Sequence, residues 1–187
     1  MVVTGVVPIT TATIRRYDAI ALRHTDRRPV SGQPMDDSTM LAIANAAWPY
    51  GAFLRFLPPY KVASVAALAA AADRAEAADP AWRVEMNAWM SGGRATMTIP
   101  EADSAPVYAV LYGMEDTPIG WLRAGQSLSA AWLMADELDV SVVPISSVIE
   151  VAATRRALRE LLSTTSWPYL VLRMGLVDPR NVDGGQA

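Results

Sequence analysis

Apolar and polar positions alternate along this 187-residue chain in blocks whose period switches between helical and strand-like, so the elements can be read off in order. Ile14, Tyr17, Ile20 and Ala21 recur at helical intervals and predict a helix from Ile14 to about His24, closed by Pro29 and the turn residues Ser31-Gly32. Asp36 and Asp37 suit the positive pole of a second helix reaching Ala47, with Met40, Leu41, Ile43 and Ala44 as its buried stripe. Trp48-Pro49-Tyr50-Gly51 ends it. Phe53 to Leu57 alternates as a strand does, and Pro58-Pro59 stops it because proline cannot donate into a ladder. Val62 to Ala78 reads as a long alanine-rich helix. Asp79-Pro80 then pairs a capping carboxylate with a first-turn proline, ahead of a short helix carrying Trp82, Met86, Trp89 and Met90 on one face.

Ser91 to Ala105 has no clear period and contains Gly92, Gly93 and Pro100, so it is expected to be a loop able to act as a lid. Val107 to Tyr112 predicts a buried strand. Thr117-Pro118 repeats the cap-plus-proline signal before the longest helix, which runs to about Leu138. Its face Leu122, Gln126, Ser129, Leu133, bordered by Trp121, Ala130, Trp132 and Met134, is apolar over much of its circumference and is expected to be central or at a subunit interface. Ser141 to Ile145 predicts a short strand or extended turn, Glu150 to Leu162 a helix and Tyr169 to Met174 a last strand. Glycines at 5, 92–93 and 184–185 lack the spacing and strand-to-helix context of a dinucleotide turn. The expectation is therefore an α+β fold: an N-terminal arm over 1–13, one domain over 14–177 and a disordered tail over 178–187.

Composition sharpens this picture. Hydrophobic residues make up 52% and charged residues 19%, with six Trp and nine Met, which is rich for a small soluble domain and implies apolar surface kept for a partner. A homodimer is expected. The formal net charge of −3 argues against general nucleic-acid binding, which needs a basic face. With no cysteine and one histidine, thiolate chemistry, disulfides and a His-rich zinc site within one chain are excluded, and a reducing cytoplasm is the expected home. Met1 to Thr13 lacks the charged and apolar regions of a signal peptide. The apolar run Val62 to Ala72 is too short to span a bilayer between Lys61 and Asp73, so no membrane association is expected.

The chemistry is concentrated in Arg23-His24-Thr25-Asp26-Arg27-Arg28, at the end of the first helix. If the helix persists, Arg23 and Arg27 share one face and can grip one phosphate, with Thr25 and His24 adding hydrogen-bonding groups. The alternative is a solvated helix end in which cations complement the negative pole. Asp136 and Glu137 are adjacent on their helix and read as a solvated face rather than an acid–base pair. The other Asp and Glu residues are scattered and form no convincing pair.

Five stretches, in this order, resemble the FMN-dependent nitroreductase family. They are Tyr17-Asp18-Ala19-Ile20 running into Arg23 to Pro29; Ala72-Asp73-Arg74 with Ala78-Asp79-Pro80; Trp121-Leu122-Arg123-Ala124-Gly125-Gln126; Val143-Pro144-Ile145-Ser146; and Trp167 to Gly175. The likeness covers about Tyr17 to Arg180 and is closest to the second half of the double-length, dormancy-associated, flavin-sequestering actinobacterial branch often called Acg. It implies a mostly antiparallel sheet flanked by helices, in a dimer or pseudo-dimer joined through a long central helix with FMN at the interface. The family's alternating basic, hydroxyl, basic motif falls on Arg23, Thr25 and Arg27, which with His24 would hold the phosphate and ribityl chain. Pro144, Ile145 and Ser146 would run along the flavin ring, and Arg180 would return to the phosphate. Arg173, in the final strand motif, would make a structural pair or touch the ligand.

Two departures stand beside the resemblance. Where relatives carry an Ala-Pro-Ser-like turn followed by Asn and Gln-Pro-Trp, this chain reads Ala47-Trp48-Pro49-Tyr50-Gly51-Ala52-Phe53, and Asp139 stands where relatives prefer glycine. The implied activity is transfer of hydride from NAD(P)H through flavin to an acceptor. The alternatives are a flavin-sequestering protein, or a non-catalytic half-subunit completed by a related chain.

Overall fold

The order of elements places a sheet between two layers of helices. The structure, a computed structural model, describes residues 9–90, 105–163 and 165–177, with the side chains of 86–90 excepted. The helices are α1 (Thr11–Leu22), α2 (Asp37–Ala47), α3 (Pro59–Ala78), α4 (Pro80–Met90), α5 (Pro118–Glu137), α6 (Ser147–Glu150) and α7 (Ala152–Leu161). The strands are β1 (Phe53–Phe56), β2 (Val107–Gly113), β3 (Val140–Ile145) and β4 (Trp167–Leu176). They form one antiparallel sheet in the order β1-β2-β4-β3, in register at Leu54↔Leu111, Val110↔Val171 and Val142↔Met174.

Strand alternation builds two cores from this sheet. Ala109, Leu111, Leu172 and Met174 turn to one face and pack with α2 and α5, through Ile43 and Ala131. Tyr108, Val110 and Val171 turn to the other, against Val65 of α3, Val148 of α6 and Leu158 of α7. Two side-chain caps start α2 and α5, the one at Thr117 anticipated from sequence and the one at Asp36, expected inside the first turn, standing just before it. Asp36 accepts from Thr39 N–H at 2.7 Å at the start of α2, and Thr117 accepts from Gly120 N–H at 3.2 Å at the start of α5.

Several expectations are corrected. Thr10 Oγ1 accepts the Thr13 N–H at 3.1 Å, so α1 begins three residues before Ile14, and it ends at Leu22 because Arg23 leaves the helical conformation, with ψ 122°. The apolar face marked by Ile14, Tyr17 and Ile20 is exposed, and Ala19 alone of this helix is buried. Leu41 of α2 is exposed as well, whereas Ile43 is buried. On α5 the small residues Ala124, Ser127, Ala131 and Ala135 face the core, while Leu122, Gln126 and Ser129 are exposed. The helix expected over Glu150 to Leu162 is present as α7, starting two residues later, and a separate four-residue helix, α6, precedes it, with Val151 (ψ 114°) between the two. Asp139, in the glycine-preferred position, adopts φ 55°, a left-handed conformation that Asp tolerates better than most side chains. The expected lid over Ser91 to Ala105 and the tail from Asp178 fall, except for Ala105, outside the described residues.

Candidate functional site

The end of α1 at Leu22 changes how the basic cluster works. Arg23 to Arg28 run without helical structure, so Arg23 and Arg27 do not share a helical face. Successive side chains of an extended run point to opposite sides. Accordingly His24, Asp26 and Arg28 line a cavity of about 420 Å³, together with Trp132, Asp136, Ser141 and Val142, while Thr25 and Arg27 do not. Arg27 is exposed. Arg23 lies over the Trp132 ring, its Cζ 4.8 Å from the centroid, a cation–π contact that fixes one guanidinium beside the cavity. His24 Nδ1 is 2.9 Å from the Leu22 carbonyl.

Asp26 and Arg28 neutralise each other within the segment. The Arg28 Nε and Nη2 donate to the Asp26 carboxylate at 2.9 and 2.7 Å, and the Arg28 backbone N–H donates at 3.1 Å. Burial pushes the Asp26 carboxyl up, but the guanidinium and backbone hydrogen bonds from Arg28 outweigh it and hold the pKa below the ordinary value. Asp136, across the cavity, is raised by burial and by the carboxylates of Asp139 and Glu137, against the opposing pull of His24 and Arg23. Glu137 pairs with Arg16 at 3.3 Å. Neither acid belongs to a simple solvated face. Ser141, 6% exposed, carries a buried Oγ with no hydrogen-bond partner among the described residues.

The segment is fastened to the outer edge of β3. Asp26 N–H donates to the Val142 carbonyl at 3.3 Å, so Val142 turns its backbone groups away from β4. Alternation turns Pro144 outward as well, where its missing N–H costs no ladder bond. The trans peptide after Ile145 then directs the Ser146 N–H to the same edge. Val142 to Ser146 spans roughly 13 Å at about 3.3 Å per residue. Thus the basic segment and Pro144-Ile145-Ser146 lie along one strand edge. Arg180 lies outside the described residues, and Arg173, 1% exposed, donates from Nη2 to the Arg28 carbonyl at 3.1 Å.

The sequence placed Asp26 and Arg28 in the basic cluster without their pairing, and did not single out Trp132 or Ser141 as cavity residues. The acid two positions before Arg28 was a usable signal for the first pair once the segment is taken as extended. Nothing in the sequence places Trp132 under Arg23. The stretch departing from the family pattern forms an aromatic group instead: Trp48 meets Phe53 edge-on at 5.1 Å, and Phe53 meets Tyr112 at 5.6 Å. Gly51 supplies the positive φ of 90° that this turn requires. A second cavity, about 360 Å³, lies between α5 and the sheet, lined by Trp121, Gly125, Ile149, Glu150 and Tyr169 among others. No cluster of potential metal ligands exists among the described residues. No described helix is long and apolar enough to cross a membrane.

The donor set fits a flavin mononucleotide at both ends. An exposed Arg27 suits a phosphate, and an outward Ser146 N–H with an apolar strand edge suits a ring that accepts hydrogen bonds.

No family model matches the chain. Over 87 residues it is 34% identical to the Mycobacterium tuberculosis H37Rv protein named "Putative NAD(P)H nitroreductase Rv3131", a match covering 46% of this chain and 24% of the relative. The counterpart MT3217 in strain CDC 1551 matches equally. Among solved structures, oxidized iodotyrosine deiodinase bound to FMN and 3-iodo-L-tyrosine superposes with a TM-score of 0.68 at 15% identity, covering 88% of this chain and 90% of that one. A Desulfitobacterium hafniense nitroreductase with bound FMN gives 0.64 at 13% identity, covering 88% and 89%. The NADPH:FMN oxidoreductase of Vibrio harveyi complexed with NAD+ gives 0.59 at 14%, covering 88% and 69%. The chain therefore has the nitroreductase-like α+β fold, and the curated matches, which span about a quarter of those relatives' length, support the resemblance to that family.

Proposed function

We propose that this chain binds FMN and moves hydride from NAD(P)H through the flavin to an acceptor, as a nitroreductase-like oxidoreductase. The observation that carries the reading is the Asp26 N–H bond to the Val142 carbonyl, which aligns the basic segment with Pro144-Ile145-Ser146. Arg23, Thr25 and Arg27 hold the phosphate and ribityl chain in this reading, with His24 at the cavity side and Arg180 as a further cation. The flavin supplies the hydride chemistry when bound. The protein binds it, orients it and excludes water, so no acid or nucleophile of the chain is required.

The working unit we infer is a homodimer, or a pairing with a related half-chain, of a domain spanning about 14–177, in the cytoplasm. Exposed Ile14, Tyr17 and Ile20 on α1, with Trp121 and Leu122 on α5, supply an apolar face for that partner.

One observation favours a second reading. The aromatic stretch Trp48 to Phe53 replaces the polar turn that completes the flavin site in relatives, which suits a flavin-sequestering protein or a non-catalytic half-subunit. The visible spectrum of the purified protein after FMN loading and desalting, followed by NAD(P)H, separates these. Retained flavin that bleaches supports the oxidoreductase, and retained flavin that stays oxidised supports sequestration. Failure to retain FMN, with a heteromeric native mass in cell extract, supports the half-subunit.

A further inference from the structure

We propose that Asp26 is a positioning residue that makes this site select a phosphorylated flavin over an unphosphorylated one, an inference that rests on the flavin reading above. A carboxylate inside a phosphate-binding segment is at first sight counterproductive, since like charges repel. Its geometry removes the objection. Asp26 is 7% exposed, and three donors of Arg28 close on its carboxylate at 2.7 to 3.1 Å, so the pair is internally neutral and directed away from Arg27.

The pair has a mechanical consequence. Asp26 N–H is tied to Val142 of β3, and the Arg28 carbonyl accepts from Arg173 of β4. Two residues later, the Val30↔Val177 bridge and the Ser31 N–H bond to the Leu176 carbonyl at 2.7 Å continue the attachment. The chain is thus clamped at alternate positions 26 and 28, with Arg27 between the clamps. In an extended run the residue between two inward-facing neighbours points outward, which is the orientation a phosphate grip needs. Without the Asp26–Arg28 fork, a ligand would have to order this segment on binding, and the phosphate's contribution to affinity would fall.

Riboflavin shares the ring and ribityl chain of FMN and lacks the phosphate, so the ratio of their dissociation constants isolates the phosphate grip. The experiment is fluorescence titration of both flavins against the full chain and its Asp26→Asn, Arg28→Lys and Arg27→Glu variants, with near-UV circular dichroism as the check on folding. The unaltered chain is expected to favour FMN by roughly tenfold or more. Asp26→Asn brings the ratio near one while leaving the riboflavin constant within about twofold. Arg28→Lys, which keeps the charge but loses the fork, shifts the ratio the same way. A folded Asp26→Asn variant with the original ratio overturns the proposal, as does weakening of both flavins equally, the signature of a merely structural role. If Asp26→Asn does not fold, Arg28→Lys decides by the same ratio. Absence of any preference in the unaltered chain, unchanged by Arg27→Glu, overturns the phosphate reading itself, and the proposal with it.

Discussion

Arg155 grips Asp116 through two parallel hydrogen bonds, Nη2 to Oδ1 at 2.8 Å and Nη1 to Oδ2 at 3.1 Å, joining α7 to the loop before α5. The same arginine donates from Nε to the Pro168 carbonyl, and the Trp121 indole N–H donates to Asp116 Oδ1 at 2.9 Å. The Arg155 hydrogen bonds hold the Asp116 carboxyl below its ordinary 3.8, against a smaller upward push from burial. The native state therefore needs the carboxylate ionised. Its stabilisation is complete above that ordinary value and is lost as pH falls through the lower native value. Asp116→Ala is expected to cost about 1–2 kcal/mol at pH 7, less than a fully buried pair because both side chains are about a quarter exposed. Urea denaturation at pH 7 and near pH 3 checks this, and a gap that does not narrow in acid refutes the assignment.

Gly175 in β4 has no room for a side chain: a Cβ there would come within 2.3 Å of Val30 Cγ1. Gly175→Ala should destabilise the fold by about 1–3 kcal/mol. It should also loosen the Val30–Val177 bridge that anchors the basic segment, so hydrogen exchange at Ser31 N–H should rise. Protection equal to that of the unaltered chain would contradict the packing.

Glu76 in α3 is raised above its ordinary 4.5 by burial first, then by the carboxylates of Glu150 and Asp73, and its Oε1 has no hydrogen-bond partner among the described residues. A raised carboxyl is a liability when ionised, so its cost is present above the native pKa and disappears below the unfolded one. Glu76→Gln is expected to raise the Tm at pH 7 and to lose that advantage near pH 4. Thermal unfolding at both values tests the sign, and a lower Tm at pH 7 would sink it.

Charge reversal at Arg27, exposed and outside any ion pair found among the described residues, should weaken FMN binding roughly 10- to 100-fold without changing unfolding. Arg23→Glu should do both, because it also removes the guanidinium from the Trp132 ring. Equal thermal stability of the two variants would contradict the difference between them.

Tyr17→Glu combined with Ile20→Glu places charges in the exposed face of α1. If that face meets a second copy, sedimentation equilibrium should show a shift to monomer with the circular dichroism of the fold retained. A dimer unaffected by both charges would move the interface elsewhere.

Local signals in the sequence located most elements, because caps and prolines act within one turn of themselves. Asp36, Thr117 and the proline at 118 marked helix starts to within a residue, and the unbroken apolar run Val107 to Tyr112 marked a buried strand. Which face of a helix is buried was less legible. Leu41 and Leu122 are as apolar as Ile43, yet they are exposed, since burial depends on what the sheet and α2 present to α5. Nor did periodicity mark the four-residue α6, which packs against α3 and β4 just before α7.

The candidate site divides the same way. Sequence by itself determined that cations and a hydroxyl stand at alternate positions 23, 25 and 27, because that is a property of residue order. Only the tertiary structure decided that this order is read with a period of two: α1 stops at Leu22, and a backbone bond from Asp26 draws the chain along the edge of β3. That bond joins residues more than a hundred positions apart, and only the closed sheet brings its two ends within hydrogen-bonding distance.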